Sequence, residues 1–372
     1  MPERPAPLVL VVTPPENDAF GSYAAVAATG QRLLAAELSH RLGRLGAAVA
    51  PLVPERSEAF NWGHWFVVAA RTALQQAAGA VDAIGYAGAG SLALLPDHAL
   101  DALLAPVAGE VVANNRFSAD AFVVAGDLDR ALEALEECSA DNAAARHLET
   151  AGFSVRDVAT APFSRFDVDT PLDLALLRLG TRLPGLRRPE PGVGGFLEMA
   201  QLPGGRSLEV PHLVRIGAVM RDRAAELVVA GRVPVSAWGY LETQTACRVR
   251  CYIEERGMRS ARQGRPHSLL AALLERSSPA DLVATLAGLG DGVILDTRVL
   301  MASLGGSSDA DAWPPEEERF ASDFGDARTT ATPWLRELVE AANAAPVPFL
   351  FGGHALVSDG LRLIVDAAWL GR

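Results

Sequence analysis

Two aspartates separated by one valine carry the most pointed chemistry in this sequence. Asp167 and Asp169 lie in the run F-D-V-D-T-P-L-D-L. If the backbone there is extended, alternation puts both carboxylates on one side. Two carboxylates converging beyond a strand end suit a hard divalent cation. The same run also reads as a helix start, with Thr170 as the cap, Pro171 at the first position and Asp173 favoured by the helix dipole. Upstream, Asn114, Asn115, Arg116, Ser118 and Asp120 form a polar hinge between the apolar pieces Val111-Val112 and Ala121–Val124. Asn115 and Arg116 are the groups there that can orient a substrate. A third stretch, Gly88-Ala89-Gly90-Ser91, follows the strand-like Val81–Tyr86. Ligands of open α/β sheets sit beyond the carboxyl ends of strands, and glycine lets a ligand approach the backbone closely. A plain tight turn is the alternative.

The C-terminal half has polar groups of its own. Arg248, Arg250, Glu254, Glu255, Arg256, Arg259, Arg262 and Arg265 fall close together. Guanidinium forks suit phosphate or carboxylate. On a helix, however, Glu and Arg three or four apart make ordinary surface ion pairs. Cys247 and Cys251 are one helical turn apart, but without further cysteines and with His267 distant they do not predict zinc. Asp296-Thr297-Arg298 follows the apolar Val293-Ile294-Leu295. Gly352-Gly353-His354 follows Phe349-Leu350-Phe351. The second of these has the form of an anion-binding or catalytic turn, with His354 as acid or base near neutral pH. A buried structural histidine fits equally.

The elements that must position these residues alternate in the N-terminal half. Leu8–Val12 reads as a strand buried on both faces. A helix from Gln31 to Leu45, a strand over Ala47–Val53, a helix from Val67 to Ala78 and a helix from Asp141 to Ala151 follow. This order predicts an α/β domain over 1–180. Prolines 184, 189, 191 and 203 and the glycines among them mark 181–205 as a linker. From 206 to 372 the patterns lengthen, including one helix over Leu213–Ala230, and predict a helix-rich α+β second domain.

The chain has 372 residues, a net charge of −12 and three cysteines. The acidic balance argues against nonspecific nucleic-acid or anionic-membrane binding. No apolar run approaches a membrane span and no signal-peptide pattern is present, so a cytoplasmic protein is expected. All the basic charge is arginine. With no lysine, the chemistry of a P-loop or Schiff-base lysine is excluded. A homo-oligomer is left open.

The runs N-N-R-F-S-A-D, D-N-A-A-A-R-H-L and F-D-V-D-T-P-L-D-L resemble the MobA-like NTP-transferase superfamily. The closest likeness is to the phospholactate guanylyltransferases of coenzyme F420 synthesis, with their D-[IV]-D-T-P-x-D-L. That resemblance spans roughly residues 8–180. It implies a Rossmann-like, GT-A-like nucleotidyltransferase domain using a nucleoside triphosphate, a phosphorylated acceptor and Mg²⁺, with Asp167 and Asp169 near metal and phosphates. The family's first loop is typically rich in glycine and basic residues, whereas Thr13–Gly21 here holds no basic residue. Where the family places an aspartate after the central strand, this chain has the Gly85–Ser91 run. Two expectations follow: a nucleotidyltransferase whose phosphate-binding cations come from elsewhere, or a degenerate domain of that fold binding a ligand or partner without catalysis.

Overall fold

The computed structural model describes residues 6–15, 21–54, 60–77, 79–158, 163–255, 266–307 and 309–370. They divide into two compact units. The first holds residues 6–15, 27–158, 163–169 and 186–196; the second holds 21–26, 170–185 and 197–370.

In the first unit the strands are β1 (Leu8–Val12), β2 (Ala48–Leu52), β3 (Ala83–Ala87), β4 (Glu110–Ala113), β5 (Ala121–Ala125) and β6 (Ser154–Asp157). They form one sheet in the order β2-β1-β3-β5-β4-β6. β1 is parallel to β2 and β3, β5 runs antiparallel to β3 and β4, and β6 is parallel to β4. The apolar run of β1 shows why the sheet is covered on both sides. Leu8 and Leu10 join Trp62, Phe66, Tyr86 and Phe122 on one face, while Val9 and Val11 join Leu38, Leu42 and Leu100 on the other. β2 and β3 flank β1 on opposite sides, so the winding of the chain reverses there.

The helix expected from Gln31 begins eight residues earlier, at Tyr23, because Gly30 is accommodated inside it. The helix expected over Asp141–Ala151 opens with a tight turn at Asp141–Ala143 and continues as Ala144–Thr150. The expected linker is structured. It carries the helix Pro191–Met199 and a small hairpin of β7 (Gln201–Leu202) and β8 (Arg206–Ser207). Arg187 pairs with Glu37, and Glu190 pairs with His40 and Arg44, which fasten its first part to the first unit.

The unit boundary falls after Asp169, not at 180. Helix Pro171–Gly180 belongs to the second unit. Thr170 and Asp173 close a reciprocal capping box at its start, and every residue of the helix is buried. Thr170→Ala is expected to destabilise the second unit by about 1 kcal/mol, read as a lower thermal midpoint that Thr170→Ser restores. Equal losses for both variants would place the stabilisation elsewhere.

The second unit corrects the α+β expectation. Its strands β9 (Glu226–Gly231), β10 (Arg248–Ile253), β11 (Gly292–Asp296) and β12 (Phe349–Gly352) form an all-parallel sheet in the order β10-β9-β11-β12. The helix expected over Leu213–Ala230 stops at Arg221, and Glu226–Gly231 is a strand. Buried β-branched runs do not declare helix or strand by period alone. Val228, Ala230, Val293, Leu295, Phe349 and Phe351 pack on one face against helices Leu269–Leu274, Pro279–Ala287 and Pro333–Ala344. Leu227, Val229 and Ile294 are equally buried. Helix Leu213–Arg221 packs on β9 and β11, and helix Asp359–Trp369 packs on it and on Pro171–Gly180. Here too the winding reverses, between β9 and β11. The unit is therefore α/β.

Candidate functional site

In the first unit the three segments singled out in the sequence meet at the carboxyl edge of the sheet. β3 ends at Ala87 and the chain turns at once. The Gly88 amide donates to the Asp120 carbonyl (2.9 Å), and the Ser91 amide and hydroxyl return to the Gly88 carbonyl (3.2 and 2.8 Å). The acidic corner lies on this turn, with the Val168 amide donating to the Gly90 carbonyl (3.2 Å) and Gln31 Nε2 to the Val168 carbonyl (2.9 Å). A Cβ at Gly90 would overlap the Val168 carbonyl. That glycine is thus required by chain packing before any ligand is considered.

The polar hinge is built around Asn114. Its Oδ1 accepts from the Asp120 and Ala121 amides, and its Nδ2 donates to Asp120 Oδ2 and the Ser164 carbonyl. Asn115 Oδ1 accepts from the Phe117 amide (3.3 Å), and the Ser118 amide closes a turn onto the Asn115 carbonyl. The Arg116 amide donates to Asp157 Oδ2, and its guanidinium is paired with Glu149 at 2.5 Å. Asn114, Asn115 and Arg116 therefore hold the hinge itself.

Asp167 and Asp169 lie on a stretch outside any strand or helix. Phe166 and Val168 are buried, while Asp167 is half-buried and Asp169 exposed. Burial alternates along this run, with Phe166 and Val168 inside and the two aspartates more accessible. Backbone strain flanks the same place. Of the three non-glycine residues with left-handed φ among the described residues, Leu92 (φ 62°) follows the glycine turn and Phe163 (φ 62°) precedes the acidic corner. Such outliers persist where the surrounding structure over-determines them and tend to gather at functional sites. Arg41, itself buried, fastens the strained loop by donating to the Leu92 and Leu95 carbonyls and to Asp97.

Among the described residues no group of three or more His, Cys, Asp or Glu is placed to hold a metal ion. Mg²⁺ usually keeps its waters and takes one or two protein carboxylates plus substrate phosphates. Asp167 and Asp169 fit that donor set, which the phosphates of a ligand would complete.

The second unit holds a polar constellation of which sequence reasoning singled out His354 and the Asp296-Thr297-Arg298 run without joining them. It lies where β9, β11 and β12 end. Asp296, fully buried, receives Arg232 Nε (2.6 Å), Arg232 Nη2 (3.0 Å) and the Arg298 amide (3.2 Å). Burial works against its charge, but Arg232, with further help from His354, holds its carboxyl below the usual range. Arg298 forms a fork onto buried Asp323 at 2.5 and 2.7 Å. Burial opposes the Arg298 charge too, yet Asp323, Asp296 and Asp173 hold it protonated. Gly231, at φ 128°, leaves no room for a side chain beside Asp296. Arg232 and Asp323 are remote from Asp296 and Arg298 in sequence. The one available signal was that a buried strand end, Leu295-Asp296, carries a charge.

The remaining expectations divide. Arg248 and Arg250 stand on strand β10, not on a helix, so the helical ion-pair pattern does not apply to them; Arg250 pairs with Glu226 (2.6 Å). Arg256 and the arginines after it to 265 lie outside the described residues. Cys247 and Cys251 are likewise not on one helix; burial pushes the Cys251 thiol up to about 11. No described helix is long and apolar enough to cross a membrane.

Two α/β units, each with polar side chains gathered where its sheet winding reverses, are what the fold and its sites define. No family model, curated protein or solved structure matches the chain.

Proposed function

We propose that the first unit is a nucleotidyltransferase-type domain that takes a nucleoside triphosphate with Mg²⁺ at the carboxyl edge of its sheet and passes the nucleotidyl group to a phosphorylated small molecule. The observation that carries this is the convergence of Gly88–Ser91, Asn114–Asp120 and Asp167–Asp169 through the Gly88–Asp120, Asn114–Ser164 and Gly90–Val168 hydrogen bonds. This edge includes the reversal between β1 and β3, where ligands of open α/β sheets bind. Asp167 and Asp169 would hold the metal against the phosphates, Mg²⁺ there neutralising charge as it develops. Ser91, Ser118 and the backbone of Gly88 and Gly90 border the ligand.

Thermal shift with nucleoside triphosphates and diphosphates, each with and without Mg²⁺, tests it. A nucleotide at about one hundred times its Kd stabilises by about 2.7 kcal/mol. The expected result is a shift that needs both nucleotide and Mg²⁺, is absent with Mg²⁺ alone, and is lost in Asp167→Asn and in Asp169→Asn. A shift unaltered in both variants would remove them from the site.

A second reading rests on the engagement of Asn114 and Arg116 within the protein: a domain of this type that binds its ligand without catalysis. Release of pyrophosphate from any triphosphate in the presence of an acceptor decides against it.

A further inference from the structure

We infer that Arg165 is the cation that grips the phosphate chain of the ligand at the first unit's edge, an inference that rests on the nucleotide reading proposed above. The first ground is the state of its side chain. Among the described residues of the first unit, the other arginines that are not exposed are engaged. Arg41, Arg116, Arg156 and Arg187 each pair with a carboxylate, and Arg32 donates to Thr29. Arg165 is half-buried and makes no hydrogen bond or ion pair among the described residues, and its Nε is buried without a partner. A guanidinium has five donors, and a buried donor left unmade on a charged group is costly. Native structures seldom keep such a group without a use for it.

The second ground is where its backbone is held. Arg165 stands in the tight turn Phe163–Phe166, closed by the Phe166 amide on the Phe163 carbonyl (3.2 Å). On one side the Ser164 carbonyl accepts from Asn114 Nδ2 (3.1 Å), and on the other the Val168 amide donates to the Gly90 carbonyl (3.2 Å). The arginine is thus rooted between the polar hinge and the glycine turn. Chain length also bounds its distance from the carboxylates proposed for the metal. Fully extended chain spans about 7 Å over two residues and about 14 Å over four, so the Cα atoms of Asp167 and Asp169 lie within those limits of Arg165. A guanidinium on its long stem covers much of that span.

The third ground is the charge to be met. Mg²⁺ takes one or two carboxylates and completes its shell with water and substrate phosphates. The phosphate chain of a triphosphate carries more negative charge than one Mg²⁺ offsets, and two aspartates add to the excess. The sequence from Thr13 to Gly21, after β1, brings no basic residue, and the chain has no lysine. A guanidinium fork takes phosphate oxygens two at a time, and both edges of the Arg165 fork are unspent. Binding exchanges its orphaned donors for charge-assisted hydrogen bonds. The ligand group seated on the metal is the phosphate chain, so the cation tethered to the metal's carboxylates meets that chain.

Calorimetry of the whole chain with Mg²⁺ and tripolyphosphate tests this, beside Mg²⁺ and nucleoside triphosphates. Arg165→Met is expected to weaken tripolyphosphate binding about tenfold to a hundredfold, as the loss of charged hydrogen bonds implies. Arg165→Lys keeps the charge but loses the fork, so it should fall between. Arg71→Met removes an exposed arginine of the same unit and should leave binding nearly unchanged, since salt screens such charges. With no partner to lose in the free protein, Arg165→Met should not lower the melting point. Equal tripolyphosphate affinity in wild type and Arg165→Met overturns the inference, and the nucleotide reading stands if triphosphates still bind with Mg²⁺. Weaker binding that comes with a lower melting point in both variants assigns Arg165 to the architecture and overturns it too. Tripolyphosphate binding that depends on Arg165, with no nucleoside triphosphate bound, keeps the cation and sinks the nucleotide reading. Binding of neither overturns both. Should Arg165→Met fail to fold, Arg165→Lys decides by the same comparison.

Discussion

Arg298→Met is expected to destabilise the second unit by about 3–5 kcal/mol at neutral pH, as removing one partner of a buried ion pair does. The loss comes less from the missing guanidinium than from what it leaves behind. Asp323 is fully buried and reaches Arg298 at 2.5 and 2.7 Å. In the variant its carboxylate has lost that counter-charge, and Asp173 has lost the same positive neighbour. Burial already pushes the Asp323 carboxyl above its usual range despite Arg298. An acid whose folded pKa lies above the unfolded value of about 4 weakens the native state above that window. The penalty is relieved as pH falls through the folded value, because protonation removes the stranded charge. Denaturation curves at several pH values should therefore show the variant approaching wild type in acid. Arg298→Met with Asp323→Leu, which removes both charges, should recover most of the stability at neutral pH. Asp296 responds in the opposite sense. Its carboxyl is held low, so the stability it contributes is present above the unfolded value and lost as pH falls through the folded one. A variant as stable as wild type at pH 7 would show Asp323 to be neutral in the native protein.

What could be foreseen from sequence follows a physical line. β1, β5 and the Asp167–Thr170 corner were legible because each signal is local: an apolar β-branched run, or an Asp-x-Asp followed by a cap and a proline. That the three polar segments of the first unit meet was legible for the same reason, since each follows or joins strand ends and strand ends share an edge. β9 was not. Its Leu227-Val228-Val229-Ala230 continues the apolar character of Leu213–Met220 across a short polar break, and burial on both faces of a parallel sheet erases the alternation that marks a strand. Losing β9 hid the second sheet, and with it the meeting of Arg232 with Asp296 across 64 positions. The roles of Asn114 and Arg116 were hidden differently. Residue type announces polarity, but only the fold shows an amide whose oxygen takes two bonds from its own loop while its nitrogen gives one to Asp120 and one to the distant Ser164.

Gly90→Ala tests whether the first unit's edge is built as one piece. A Cβ there would overlap the Val168 carbonyl oxygen and lie 2.8 Å from its carbonyl carbon and 2.9 Å from its amide nitrogen. The obstacle is backbone, which no rotamer can relieve. The stretch Asp167–Asp169 must move away, breaking the Val168–Gly90 and Gln31–Val168 hydrogen bonds. Overpacking of this kind costs about 1–3 kcal/mol and sometimes more. The expected result is a lower melting point for the first unit together with loss of the Mg²⁺-dependent nucleotide shift, because both carboxylates are displaced. Gly88→Ala is the control two residues away. Its Cβ would stand 3.5 Å from the Asp120 carbonyl oxygen and 3.8 Å from Ser91, ordinary contact distances, so folding should be nearly unchanged. If Gly88→Ala nevertheless abolishes the nucleotide shift, the bare backbone of that turn meets the ligand directly. If Gly90→Ala keeps a full nucleotide shift despite its lower melting point, Asp167 and Asp169 are not where the metal and phosphates bind, and the acidic corner is a helix start alone.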